Sequence, residues 1–339
     1  MTPAHTCRSL GLALLLGATL IALPAQARLR DRPAGHEAHE AHEAAASTTP
    51  DAAPTVARIT APGDREFTLQ HGGLTRHYRV HVPPSHKPEQ ATALVLAFHG
   101  GGGNMDVQAN DRYYGQISKA DQLGYVVVFP NGYSRLPGGK LATWNAGACC
   151  GAARDKGIDD VGFVRALLAQ LKQQLNVDPA RVFATGISNG GMMSYRLACE
   201  MADSFTAIAA VAGTDNTLNC TPSRPVSVLH IHARDDERVL FNGGAGSQAS
   251  QMTNFVAVPR NMAKWAALNG CQPEPERVLE VPGAYCEAYS GCRGGAQVKL
   301  CVTETGGHSW PGGRKPLGGA QGSTAISATE LIGDFFMKR

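Results

Sequence analysis

The chain has 339 residues, of which 43% are hydrophobic and 17% charged, and its formal net charge is +3. That balance excludes a disordered or fibrous protein and fits one globular domain with a well-filled core. No run of Lys and Arg with interleaved aromatics occurs, so no nucleic-acid partner is expected, and the small net charge says little about substrate.

At the start of the chain Arg8 precedes an apolar stretch over residues 10–23, followed by Ala25-Gln26-Ala27, the small-x-small pattern a signal peptidase needs. Residues 1–27 therefore read as a cleaved export signal, and the product as secreted, periplasmic or extracellular. An apolar stretch of roughly 14 residues falls short of the ~20 that span a bilayer as a helix, so no membrane span is expected. Cys7 precedes that stretch instead of ending it, which gives lipid attachment no support. Of nine cysteines, eight remain once Cys7 leaves with the signal, and an even count in an exported chain points to disulfides. The expected pairs are Cys199 with Cys220, and Cys271, Cys286, Cys292 and Cys301 among themselves. Adjacent Cys149 and Cys150 either take distant partners or form an unusual vicinal bond. No cysteine or histidine spacing suits zinc.

Residues 28–60 are rich in Ala, Pro, Thr, His and Glu and carry too few large apolar side chains to offset their ordering entropy, so they read as a disordered linker. The triplet His-Glu-Ala begins there at His36, His39 and His42; it reads as solvated low complexity, with adventitious metal capture the alternative. From residue 61 to 339 short apolar runs alternate with helical patterns. Residues 93–98 (ALVLAF), 125–129 (YVVVF), 181–185 (RVFAT), 207–211 (AIAAV), 226–232 (VSVLHIH) and 298–303 (VKLCVT) read as buried strands. Residues 160–175 read as a helix capped by Asp159 or Asp160, because Val161, Val164, Leu167, Leu168, Leu171 and Leu175 recur at helical spacing. Further helices are expected over 189–200, 259–268 and 328–337. This alternation predicts an α/β architecture, a mostly parallel sheet covered by helices on both faces. Residues 76–82 alternate polar and apolar side chains and read as an antiparallel edge strand.

The strongest chemical signal is Gly186-Ile187-Ser188-Asn189-Gly190, a G-x-S-x-G string between a predicted strand and a predicted helix. A nucleophile on such a turn needs small neighbours, and the helix start places partial positive charge beside a developing oxyanion. A serine hydroxyl needs a base. His308 is expected to supply it, in Gly306-Gly307-His308-Ser309-Trp310-Pro311 directly after the last predicted strand, whereas His230 and His232 lie in or at the end of a strand and read as buried. An acid must orient that imidazole, and Asp235, Asp236 and Glu237 all follow residues 226–232, a choice the residues alone leave open. His99-Gly100-Gly101-Gly102-Gly103-Asn104 follows the strand at 93–98 and offers backbone N–H groups for an oxyanion hole, from Gly101 or Gly102 together with Asn189. A phosphate cradle is the rival, and it lacks both Gly-Lys-Ser/Thr and G-x-G-x-x-G.

Taken together, HGGGGN at 99–104, TWNAGACCG at 143–151, DDVGF at 159–163, GISNGG at 186–191, HARDDERV at 232–239 and GGHSWPGG at 306–313 resemble the polyhydroxybutyrate depolymerase and feruloyl esterase group, a branch of carbohydrate esterase family one in the α/β-hydrolase superfamily. The resemblance implies an eight-stranded hydrolase sheet, a cofactor-free acyl-enzyme mechanism and a triad of Ser188, Asp236 and His308. Asp236 is preferred over Asp235 because the family's acid lies four residues after the strand-end histidine, here His232, and three before a valine, here Val239. It also implies a substrate cleft lined by the tryptophan loops, with Trp144 and Trp310 against an acyl or aromatic group, although Trp144 reads equally well as a core residue. Two features depart from the group: HARDD stands where H-G-T-x-D is usual, and the chain ends just after its last predicted helix, without an appended polymer-binding domain. The expectation is thus a serine ester hydrolase acting on soluble or accessible hydroxyalkanoate oligomers or acylated polysaccharide, needing neither cofactor nor metal. Its rivals are an acyltransferase, peptidase or acetylxylan esterase on the same fold and a non-catalytic carbohydrate-binding relative.

Overall fold

A computed structural model of the chain describes residues 57–247, 253–316, 318 and 321–338. The expected signal, the His-Glu-Ala repeats and all but the end of the expected linker lie outside these residues. At that end Ile59 is buried and its N–H donates to the Gln174 carbonyl (2.9 Å), so residue 59 already packs with the domain expected from 61.

The strands are β1 (Gly63–His71), β2 (Leu74–Val82), β3 (Thr92–Phe98), β4 (Val126–Pro130), β5 (Val177–Ile187), β6 (Ala207–Val211), β7 (Ser227–Ala233), β8 (Pro275–Val281), β9 (Ala284–Tyr289) and β10 (Val298–Thr303). The helices are α1 (Met105–Ala109), α2 (Asp111–Tyr114), α3 (Gln116–Leu123), α4 (Gly151–Asp155), α5 (Asp160–Gln174), α6 (Asn189–Glu200), α7 (Val258–Asn269) and α8 (Ala328–Met337). All ten strands form one sheet in the order β1-β2-β4-β3-β5-β6-β7-β10-β9-β8, parallel from β4 through β10 and antiparallel at both ends. The chain thus has the α/β-hydrolase fold.

The seven strands expected by position are β2 through β7 and β10, and β1 brings them to the eight the resemblance implies. The sheet exceeds that number because a hairpin, β8–β9, adds beyond β10. The strand expected at an edge, β2, is covered by β1, whose sequence GDREFTLQH pairs with it from Gly63↔Val82 to His71↔Leu74.

The interior strands form where the sequence is an unbroken apolar run, because both faces of a parallel sheet are covered. In β3, Leu94, Leu96 and Phe98 point to the face under α5, α6 and α7, packing with Leu167, Leu197 and Met262. Val95 and Ala97 point to the opposite face, under α3 and α8, with Ala120 and Phe336. Helix α5 starts where the Asp159 carboxylate accepts the Gly162 N–H (2.9 Å) and offers the sheet the buried stripe Val161, Val164, Leu167, Leu168 and Leu171. Its buried Asp160 pairs with Arg76 of β2 (2.7 Å) and accepts the Asn145 N–H (2.8 Å), which ties the loop behind the site to the sheet.

Among the described residues four disulfides close the fold: Cys149–Cys150, Cys199–Cys220, Cys271–Cys292 and Cys286–Cys301. The pairing agrees with the expected Cys199–Cys220 and with the last four cysteines joining among themselves, and Cys149 and Cys150 take the vicinal alternative. Such a set fits maturation in an oxidising compartment. Among the described residues no helix is long and apolar enough to cross a membrane.

Candidate active site

Ser188 sits between β5 and α6 with φ 56 and ψ −123. A positive φ on a residue with a Cβ costs energy and persists only when the surroundings enforce it. They do so here: the Ser188 N–H donates to the Val211 carbonyl of β6 (2.8 Å), and the Ser188 carbonyl accepts the Met192 N–H (2.9 Å). The turn also packs directly on β3. A Cβ at Gly190 would collide with the Phe98 and His99 carbonyl oxygens, which is why the string needs glycine there.

The loop after β3 is set by His99. Its Nε2 accepts the Gly132 N–H (2.9 Å), so the ring proton lies on Nδ1 and is donated to the Gly100 carbonyl (2.8 Å). Burial, aided by Arg76 and opposed by the Gly100 contact, pushes this imidazole down to about 4, so it stays neutral. Within the loop the Gly102 N–H is spent on the Ala142 carbonyl (2.8 Å) and the Gly103 N–H on the Gly100 carbonyl (3.0 Å). Among the described residues the Gly101 N–H has no such acceptor, so of the two glycines left open by the sequence it is the one available to a ligand oxygen. Asn189, the first residue of α6, has no acceptor one turn back for its N–H. Its side chain is occupied elsewhere, accepting the Trp144 N–H (2.7 Å) and donating to the Trp144 carbonyl (2.9 Å).

After β7 the two neighbouring aspartates separate. Asp236 is buried, and its Oδ2 lies 2.8 Å from His308 Nδ1 and 3.3 Å from His232 Nε2. Its Oδ1 accepts the Arg238 and Val239 N–H groups (2.8 and 2.9 Å). Burial alone pushes this carboxyl up, but the hydrogen-bonding contacts with His232 and His308 and the charge of His308 outweigh it and hold Asp236 well below the usual carboxylate range. Asp235 instead turns outward and accepts the Gly306 and Gly307 N–H groups (3.2 and 2.8 Å), pinning the loop that carries His308. Ser188, His308 and Gly101 line one cleft of about 820 Å³, with Val107, Tyr114 and Leu141 among its apolar walls. The geometry joins a strained, partly exposed serine, an imidazole with an ionised carboxylate behind it, and unspent N–H groups, an arrangement suited to acyl transfer through an oxyanion.

Among the described residues one cluster has metal-ligand composition, Cys199, Asp215 and Cys220 within 4.8 Å of one another. Its sulfurs are joined in a disulfide and Asp215 already accepts from Lys264 (2.7 Å) and Trp265 (3.1 Å), so it offers no thiolate to an ion.

The profile of the prolyl oligopeptidase family matches residues 113–223, the part that contains Ser188. Feruloyl esterase B of Piromyces equi is 32% identical over 240 residues, covering 68% of this chain and 42% of its own length. Probable feruloyl esterase C of Aspergillus niger is 30% identical over 271 residues, covering 77% of this chain and 84% of its own length. The chain belongs to the feruloyl esterase family. An acetyl xylan esterase from Aspergillus awamori shares the fold, with a TM-score of 0.55 at 14% identity over 80% of this chain and 98% of its own.

Against the expectations drawn from the feruloyl esterase group, Trp310 needs correction and Trp144 takes its core alternative. Trp144 is fully buried against Phe98 and His99 and donates its indole N–H to the His99 carbonyl (3.0 Å). Trp310 is 2% exposed, packs on Tyr114 and donates to the Thr329 hydroxyl (2.9 Å). Neither lines the cleft, because each satisfies its indole N–H inside the protein, which draws the ring inward. They hold the loops of this feruloyl esterase relative from behind. The exposed apolar residue at the cleft is Leu141, 66% exposed at φ 53, which sequence reasoning passed over because nothing in LATW marks a leucine held in a left-handed turn.

Proposed function

We propose that the chain is a serine carboxylic-ester hydrolase of feruloyl esterase type, exported through residues 1–27, that releases aromatic acids from acylated polysaccharide through an acyl-enzyme. The observation that carries this reading is the Asp236–His308 hydrogen bond opening onto the cleft that also holds Ser188. In the first half-reaction His308 Nε2 takes the Ser188 proton as Oγ adds to the ester carbonyl. The carbonyl oxygen becomes an oxyanion that accepts from the Gly101 and Asn189 N–H groups, and collapse of the adduct expels the alcohol, protonated by His308. In the second half-reaction water gives a proton to His308 as its oxygen adds to the acyl carbon; the adduct collapses with cleavage of the acyl–Oγ bond, and His308 returns the proton to Ser188 Oγ, releasing the acid. Asp236 stays ionised throughout and stabilises the imidazolium.

An aromatic acyl group is favoured because Val107, Tyr114, Leu141 and Ile187 give the cleft an apolar side, and because the relatives named above are feruloyl esterases. A cleft of about 820 Å³ has room for an aryl acyl group and part of a sugar. Methyl ferulate, acetylated xylan and hydroxybutyrate oligomers, assayed with purified protein, test the substrate class. The expected result is a kcat/KM at least ~100-fold higher for methyl ferulate, equivalent to ~2.7 kcal/mol of transition-state discrimination. A preference for either of the other two would overturn the aryl assignment, and product that forms only with a sugar or alcohol acceptor present would replace hydrolysis by transfer.

A further inference from the structure

Behind Asp236 runs an unbroken line of buried hydrogen bonds that the proposed mechanism does not use. Its members are Asn261 of α7, Tyr195 of α6, and His230 and His232 of β7, each no more than 1% exposed. Asn261 Nδ2 lies 2.8 Å from the Tyr195 hydroxyl, that hydroxyl 2.9 Å from His230 Nδ1, and His230 Nε2 3.0 Å from His232 Nδ1. His232 Nε2 then faces two acceptors, the Val239 carbonyl at 2.7 Å and Asp236 Oδ2 at 3.3 Å.

Backbone groups at the two ends fix the direction of every proton in the line. At one end the Asp215 N–H can only donate, and it donates to Asn261 Oδ1 (3.0 Å), so the Asn261 amide must present its NH₂ to Tyr195. The Tyr195 oxygen is thereby an acceptor from Asn261, and its own proton has one place to go, His230 Nδ1. His230 must then carry its proton on Nε2 and donate it to His232 Nδ1. At the other end the Val239 carbonyl can only accept, so His232 carries its proton on Nε2. The two requirements agree, and both imidazoles are neutral with the proton on the same nitrogen. Burial works in the same direction, pushing the His230 imidazole well below its usual range and the Tyr195 hydroxyl well above its own.

We propose that Tyr195, His230 and His232 are positioning residues for the acid of the proposed triad, a one-way line from helices α6 and α7 that ends with the His232 Nε2–H donated to the Val239 carbonyl and held 3.3 Å from Asp236 Oδ2, the oxygen that carries His308. This rests on the catalytic reading given above. Asp236 Oδ2 is a single atom shared by two imidazoles. The donor from behind fixes its position toward His308 and takes up part of its charge, and it keeps the carboxylate from rotating when His308 swings toward serine or leaving group. It also links the helix that begins at the nucleophile to the loop that holds the acid, so the two ends of the triad keep one spacing.

The test has a structural and a kinetic arm. In ¹⁵N-histidine spectra of the intact protein at neutral pH, His230 and His232 should both show a protonated Nε2 and a bare Nδ1. A proton on Nδ1 of either ring, or on both nitrogens, would overturn the proposal. In the kinetic arm His232→Leu should lower kcat by ~10- to ~100-fold, well short of the ~10⁴-fold expected for a triad member. Because Asp236 then gives its whole charge to the imidazolium of His308, the acidic limb of kcat/KM should move up by about half a pH unit or more. The other charged groups about that loop, Asp235, Glu237, Arg238, Lys315 and the Arg234–Glu304 pair, are left in place. His232→Gln, which keeps an N–H at the Asp236 end, should recover most of kcat and return the limb. Tyr195→Phe removes one oxygen and serves as the second variant if His232→Leu does not fold; it should move the limb in the same direction. Folded variants with wild-type kcat and an unmoved limb would sink the positioning role. Ser188→Ala run alongside separates the two failures: if it is active, the catalytic reading has failed, and if it is inactive beside unaffected Tyr195 and His232 variants, only the positioning proposal has.

Discussion

Replacing Ser188 by alanine is expected to reduce kcat on a short-chain nitrophenyl ester or methyl ferulate by ~10⁴-fold or more, and to abolish labelling by a fluorophosphonate. The fold should survive, because the turn at Ser188 is held by backbone hydrogen bonds to Val211 and Met192 and by the close approach of Gly190 to β3, none of which involves the hydroxyl. Any residual rate should come from the unspent N–H groups of Gly101 and Asn189 and from binding in the cleft. A variant that retains wild-type turnover with normal circular dichroism would remove Ser188 from the chemistry and leave the cleft as a binding site only.

The second large effect separates two neighbours of the same chemical type. Asp236→Asn should lower kcat by ~10⁴-fold, because an amide in that place can present N–H to His308 Nδ1 and favour the wrong tautomer of the base. Asp235→Asn should cost only a few-fold, since one oxygen remains to accept from Gly306 or Gly307 and the loop keeps its main tether. Single-turnover kinetics on both variants, read with thermal melts, checks the pair. Equal losses would mean that the loop contact of Asp235 matters as much as the charge behind His308, and a larger loss at Asp235 would reverse the roles.

Much of this arrangement was legible because the physics that forces it acts on short stretches of chain. Strands β3, β4, β6 and β7 are covered on both faces, so each is an apolar run that stands out from its surroundings. Gly190 must be small because β3 passes against it. The parts that were missed depend on neighbours distant in sequence. Strands β1 and β8 lie at the two edges, where none of the side chains is fully buried, and GDREFTLQH and PERVLEV carry no run to detect. The choice of Gly101 over Gly102 turns on a hydrogen bond from Gly102 to Ala142, forty residues later in the chain. Asp235 and Asp236 are adjacent, and the spacing to His232 and Val239 within the family separated them, not their own chemistry. The family resemblance implies Trp310 at the substrate and leaves Trp144 between substrate and core, because side-chain direction is set by where an indole N–H finds its acceptor, which a sequence does not display.

The β8–β9 hairpin is bound at both ends: Cys271–Cys292 encloses it, and Cys286–Cys301 joins it to β10, while none of its residues lines the cleft. Each closure of a loop this size contributes about 3 kcal/mol by restricting the unfolded chain, so the two together rival the net ~5–15 kcal/mol of an ordinary domain. A production host therefore selects which molecule is obtained. Material from an oxidising export route carries a riveted edge, whereas in material from a reducing cytosol, which lacks all four bonds, the border hairpin is unfastened and loss to precipitation should be the first deficit seen.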